Sequence, residues 1–206
     1  MNIQLNSTGK RFNREWIFRK LDYEFLQGKS YAITGTNGSG KSTLLQIIAG
    51  ATLHSEGKIE YYYSAQPNQI AAGENAYKQI AFAAPYLDLV EEMTATEFLT
   101  FHNNFKLFST GFAEMLQAVG LQKAADKQIR YYSSGMKQRL KLAQAFFSET
   151  TVLLLDEPTT NLDEEGIEVY KNLWAKHTAN RLVIVSSNDK AEYENCNDVI
   201  RIGDYK

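Results

Sequence analysis

Apolar and polar residues alternate near the start of the chain, in Ile3-Gln4-Leu5 and again in Leu21-Asp22-Tyr23-Glu24-Phe25. A period of two puts successive side chains on opposite faces of a pleated strand, so residues 1–30 are expected to form antiparallel strands. Gly28-Lys29 turns the chain into Ser30-Tyr31-Ala32-Ile33-Thr34, a short buried strand. Residues 42–49 read as a helix, with Gly50 just past its end, where a left-handed residue commonly closes a helix. Ser55-Glu56-Gly57 is a predicted turn. Lys58-Ile59-Glu60-Tyr61-Tyr62-Tyr63 is a strand with aromatics on both faces. Residues 64–78 are polar, carry Pro67 and Gly73, and read as a loop. A further short strand covers 79–83.

The period then becomes helical. Thr94-Ala95-Thr96-Glu97 has the capping-box pattern, with Thr94 as N-cap and Glu97 at N3. Phe98, Phe101 and Phe105 follow at helical spacing and are expected in the core. Phe112, Met115, Leu116 and Val119 line one face of a second helix, ended by Gly120. Ser133-Ser134-Gly135 opens a third, from Met136 to about Phe147. Thr151-Val152-Leu153-Leu154-Leu155 is a continuous apolar run, as expected for a central parallel strand buried on both faces. A helix over 164–177, a strand over 181–186, a short helix and a last strand near 198–202 follow. There is no internal repeat and no low-complexity tract. The expected fold is α/β with a mostly parallel core sheet, an antiparallel β part at the N-terminus and a helical insertion at about 91–148. One domain would cover 1–206.

Composition narrows the function classes. The chain has 206 residues, 44% of them hydrophobic, enough for one sizeable core. A net charge of −2 offers no overall electrostatic case for nucleic acid or acidic membranes. The lone Cys196 excludes an internal disulfide framework, fits a reducing compartment and reads as an ordinary thiol. The N-terminal residues have no apolar signal core, and no apolar run approaches the roughly 18 residues of a membrane span. A cytosolic protein is expected, brought to any membrane by a partner.

The candidate chemistry sits in two places. Gly35-Thr36-Asn37-Gly38-Ser39-Gly40-Lys41-Ser42 fits the P-loop pattern without a mismatch, between a predicted strand and a predicted helix. Glycines let the backbone curl around phosphate oxygens. The new helix presents unpaired N–H groups and a positive dipole end to the anion. Thr36, Asn37, Gly38, Ser39, Gly40, Lys41, Ser42 and Thr43 are the expected nucleotide contacts. Lys41 would reach the β- and γ-phosphates, and the Ser42 hydroxyl would ligate Mg²⁺. The second place is Asp156-Glu157, which follows the apolar run and so lies at the end of a buried strand, where open α/β sheets bind ligands. Asp156 would hold Mg²⁺ through water, and Glu157 would polarise the attacking water.

These two motifs, with Tyr132-Ser133-Ser134-Gly135-Met136-Lys137-Gln138-Arg139 between them and Pro158-Thr159-Thr160-Asn161-Leu162-Asp163 after the acidic pair, stand in the order and spacing of an ABC-type ATPase. The resemblance covers nearly the whole chain. It implies a P-loop NTPase of ABC type that binds ATP and Mg²⁺ between two nucleotide-binding domains, as a homodimer or heterodimer. By that resemblance Ser133 and Gly135 serve ATP in trans, and Asn161-Leu162-Asp163 is the D-loop at the dimer interface. Phe12 stands where the family stacks an aromatic on adenine, with Trp16 the second choice. A separate transmembrane permease would be the other partner, holding the chain at the inner face of the cell membrane, and nucleic acid is not expected.

The chain departs from the family at several positions. The signature reads Tyr132-Ser133-Ser134-Gly135-Met136 in place of Leu-Ser-Gly-Gly-Gln. The family's Q-loop glutamine falls on Pro85, which has no side-chain donor or acceptor, with Asp88 the nearest polar substitute. The H-loop histidine is replaced by Asn188, which donates a hydrogen bond but carries no charge. His54, His102 and His177 fall elsewhere and read as surface or boundary residues. The expected function is an ATP-hydrolysing transporter motor, slowed by these losses. The alternative is a nucleotide-binding switch with little or no hydrolysis. Soluble family members acting on ribosomes or DNA carry paired domains or long coiled-coil insertions, which do not fit this length.

Overall fold

The computed structural model describes residues 1–63 and 76–206 in full, and the backbone of Gln66–Ile70. Strands β1 (Asn2–Phe12) and β2 (Glu15–Phe25) pair antiparallel, with Ile3 opposite Phe25. Strand β3 (Ser30–Thr34) leads into helix α1 (Lys41–Ile48). Strand β4 (Glu56–Tyr63) returns to pair antiparallel with β1, and β5 (Gln66–Ile70) pairs with β4, giving the order β2-β1-β4-β5. The loop expected over 64–78 is therefore corrected: five of its residues form a strand. Pro67 lies within β5 because that strand is at the sheet edge, where a missing N–H costs no ladder bond. Residues 64, 65 and 71–75, Gly73 among them, lie outside the described residues.

Strand β6 (Ile80–Ala83) belongs to a second sheet. After it come α2 (Ala95–Asn103), α3 (Phe112–Ala118) and α4 (Ser134–Phe147). The chain re-enters the sheet as β7 (Val152–Asp156), crosses through α5 (Glu164–His177) to β8 (Leu182–Ser186), and finishes with α6 (Lys190–Tyr193) and β9 (Asp198–Arg201). The order is β6-β7-β8-β3-β9, parallel throughout. All five residues of β7 and of β8 are buried. Their side chains divide with period two. Leu153, Leu155, Val183 and Val185 pack with Phe98, Met115, Phe146 and Tyr170, while Val152, Leu154, Leu182 and Ile184 pack with Leu5, Phe18, Leu44 and Leu45. A strand covered on both faces needs no polar positions, hence the unbroken apolar run. Each such leucine contributes about 1.5–3 kcal/mol by leaving water.

The capping box at α2 forms as expected: Thr94 Oγ1 accepts from Glu97 N–H, and Glu97 Oε2 accepts from Thr94 N–H at 2.8 Å. The phenylalanine stripe does not. Ala95, Phe98 and Leu99 define the buried face, whereas Phe101 is 47% and Phe105 67% exposed, their rings 5.2 Å apart. At about 100° per residue Phe101 falls outside that face, and Phe105 lies past the end of the helix. Cys196 is half-buried and free, and burial pushes its thiol up to about 12, which fits an unreactive thiol.

Candidate functional site

The cavity at the carboxyl end of the parallel sheet begins with the backbone of residues 35–40. Gly38 and Gly40 have φ of 76° and 107°, a region that L side chains rarely adopt. A Cβ on Gly40 would lie 2.3 Å from Ile17 Cγ2, so glycine there lets β2 approach the loop closely. Asn37, Gly38, Gly40, Lys41, Ser42 and Thr43 line a cavity of about 200 Å³ together with Ile17 and Glu157. Lys41 is buried, and its Nζ donates to Gly35 O at 2.9 Å and Thr36 O at 3.5 Å. The ammonium is thus held on the loop's own carbonyls, close to where a phosphate would lie. The N–H groups opening α1 face the same space.

Opposite the loop, β7 delivers Asp156 and Glu157. Asp156 is 1% exposed, and neither carboxylate oxygen has a hydrogen-bond partner. The Ser39 and Ser186 hydroxyls are also buried without partners. A buried unpaired carboxylate is costly unless a cation or donor compensates it. The site therefore fits a hard cation with oxygen ligands, to which Ser42 on the cavity wall would add a hydroxyl. Glu157 leaves the strand with φ of 42°, strained for a residue with a side chain, and its N–H donates to Ser186 O at 2.9 Å. The strain turns its carboxylate away from the sheet and into the cavity.

A second cavity of about 320 Å³ shares Asn37 and Glu157 and adds Thr159, Thr160, Ser187, Asn188, Asp189 and Glu192. Strand β8 lies between β3 and β7, so its end feeds this space. Asn188 Nδ2 donates to Asn37 Oδ1 at 2.9 Å, and Asn188 Oδ1 accepts from Gly35 N–H at 3.3 Å, clasping the phosphate loop to the end of β8. Glu192 accepts from Thr159 N–H at 2.7 Å, and burial raises its carboxyl above the usual range.

Several expected contacts are not gathered here. Phe12 is half exposed at the end of β1, with Lys10 Nζ 4.7 Å above its ring. Trp16 lies between Arg11 and Arg19, whose guanidinium carbons are 5.6 and 4.0 Å from the ring centroid. Ile17 is the β2 residue that lines the cavity. Ser133 is exposed at the start of α4, its Oγ accepting from Met136 N–H at 3.2 Å as the helix N-cap. Gly135 packs against the following loop: a Cβ there would lie 2.9 Å from Asn161 O. Neither residue lines the two cavities above.

Tyr86 is the residue that motif spacing does not mark. Burial pushes its phenol upward, Gln46 opposes this through a hydrogen-bonding contact, and the charges of Asp156 and Glu157 add to the rise. A larger cavity of about 550 Å³, lined by residues such as Ser109, Phe147 and His177, contains none of the unpartnered polar groups above.

The profile of the ABC transporter family matches residues 18–160. The chain is 29% identical to the ABC transporter ATP-binding protein YybJ of Bacillus subtilis, over 92% of this chain and 87% of that protein. It is 31% identical to the cytochrome c biogenesis ATP-binding export protein CcmA of Vibrio parahaemolyticus, over 82% of each. Among solved structures, an ATP-binding protein of an ABC transporter from Pyrococcus furiosus superposes over the full length of both chains with a TM-score of 0.81 at 19% identity.

Proposed function

The chain belongs to the ABC transporter family of ATP-binding proteins, and on that footing we propose that it hydrolyses ATP to drive a transporter. The observation that carries this reading is the shared cavity. It has a lysine held over a glycine loop on one side and a strained Glu157 on the other, with the buried, unpartnered Asp156 next to Glu157 in the chain.

In this reading Lys41 exchanges the Gly35 and Thr36 carbonyls for phosphate oxygens. Backbone N–H groups of residues 36–43 and the start of α1 bind the rest of the polyphosphate. Ser42 and Asp156 would hold Mg²⁺, which would supply charge neutralisation for the phosphates. Glu157 polarises the attacking water, a contribution of about 10²–10⁴ in rate. Asn188 turns its amide from Asn37 to the γ-phosphate. Phe12 or Trp16 stacks on adenine.

Ser133 and Gly135 complete the site of a second nucleotide-binding domain, either a copy of this chain or a relative. Their position outside the two cavities described above supports action in trans. ATP then closes the pair and hydrolysis reopens it. No helix among the described residues is long and apolar enough to cross a membrane, and the transport path in this reading belongs to a separate permease. The exposed Phe101 and Phe105 rings support a protein partner on that face. The export role in the name of the Vibrio relative supports outward transport.

Steady-state phosphate release tests the reading. Wild type is expected to turn over ATP in Mg²⁺, and Glu157→Gln is expected to bind ATP as tightly while losing at least a hundredfold in rate. If neither protein turns ATP over, even with the permease, the motor reading fails.

A further inference from the structure

The turn after β6 brings a hydroxyl to the site at the place where Pro85 offers none. We propose that Tyr86 is a positioning residue, its phenol orienting the polar groups bound between Asp156 and Glu157. The inference rests on the ATP-hydrolysing reading above and names a residue that reading does not contain.

Strands β6 and β7 run parallel in register, with Ala83 beside Leu155. The chain leaving β6 therefore passes the sheet edge at which Asp156 and Glu157 leave β7. Leu87 N–H donates to Ala84 O at 3.2 Å, closing a turn with Pro85 and Tyr86 at its centre. Lys141 Nζ donates to Pro85 O at 2.6 Å and pins that turn to α4. Proline's fixed φ stiffens it further. Tyr86 is about half exposed, and its hydroxyl interacts with Gln46 of α1, with Asp156 at the end of β7 and with Glu157 just after it.

The hydroxyl does not close a full hydrogen bond to Asp156, whose two oxygens stay unpartnered. It is near enough to act on what Asp156 binds without consuming the carboxylate. Asp88, the first polar side chain after the turn, interacts with the Lys141 ammonium. A phenol supplies one donor and an acceptor oxygen, against an amide's separate acceptor and donor groups. It is the smaller inventory, but it suffices to hold one water or one phosphate oxygen in place.

Tyr86→Phe keeps the ring and removes the hydroxyl. ATP affinity is measured in Mg²⁺ and in EDTA, along with the Mg²⁺ concentration for half-maximal tight binding, hydrolysis and melting temperature. The expected result is an approximately tenfold rise in the Mg²⁺ requirement and an approximately tenfold slower turnover, the scale of one hydrogen bond to a charged site. Affinity in EDTA and melting temperature stay unchanged. Identical behaviour of variant and wild type overturns the proposal, as does an equal loss in EDTA, which marks a purely structural role. Asp88→Asn is expected to leave the Mg²⁺ requirement where it was. A shift there with none in Tyr86→Phe moves the task to Asp88 and also overturns the proposal. A wild-type chain that binds no Mg²⁺-ATP overturns the function reading itself, before any variant is compared.

Discussion

Lys41 and Asp156 are two buried charged groups that ordinary packing would not tolerate. Lys41 Nζ is compensated by two loop carbonyls, and Asp156 by nothing among the described residues. That imbalance marks the site as built for a ligand. Lys41→Met is expected to weaken ATP binding at least tenfold by calorimetry, because a phosphate loses its charged donor. Unchanged affinity would mean the lysine serves only the loop. Asn188 tests a subtler point. Asn188→Ala removes the clasp on Asn37 and Gly35, and turnover is expected to fall by about 10²–10³, as when a preorganised donor is lost. Melting should barely move, because the residue is exposed. A large melting shift with unchanged turnover would make the clasp structural. The phosphate-loop residues and the acidic pair were legible from the chain because their spacing is tied to their chemistry. The strain at Glu157, the unpartnered Ser186 and the approach of Tyr86 were not, since each depends on contacts between segments distant in sequence.

At the scale of elements, α4 is held at its end by a residue far along the chain. Arg181, partly buried just before β8, donates to Phe146 O at 2.9 Å, Ala145 O at 3.3 Å and Thr150 Oγ1 at 2.6 Å, and desolvation brings its guanidinium down to about 10. It serves the last carbonyls of the helix that presents Ser133. Arg181→Ala is expected to cost about 2 kcal/mol and so lower the melting temperature by about 4–8 °C. A shift under about 1 °C in a thermal scan would contradict this. Helix α2 carries a titratable group of the opposite kind. His102 stacks between Phe98 and Phe108, and burial, helped by Lys106, lowers it from the usual histidine range to about 4. The unfolded chain takes up a proton below about pH 6.5 that the folded chain refuses until about pH 4. Stability is therefore full above that window and lost as the pH falls through it. The stability advantage of wild type over His102→Gln should narrow between pH 7 and pH 4.5 in denaturant titrations; a constant gap would refute the assignment. Helix α5 and strand β7 were legible as elements because one face or both are unambiguously apolar. Strand β5 was not, because its only strand-breaking residue sits on an edge where it does no harm. The Phe101 and Phe105 positions misled because helical spacing does not say which face of a short helix meets the core.

Across the whole molecule, the parallel sheet fixes where chemistry can occur, and Ser133 and Gly135 stand outside the cavities built there. Ser133 and Gly135 sit at the start of α4, and the P-loop lies at the end of β3. A single copy has both halves of a nucleotide site without joining them. ATP is therefore expected to bring two copies together, each supplying the residues the other lacks. The most direct measurement is light scattering of the Glu157→Gln protein with and without Mg²⁺-ATP, which separates closure from hydrolysis. The account predicts monomers without nucleotide and dimers with it, and predicts that Ser133→Glu in the same background abolishes the dimer while leaving ATP binding intact. ATP-bound monomers at saturating nucleotide would contradict it.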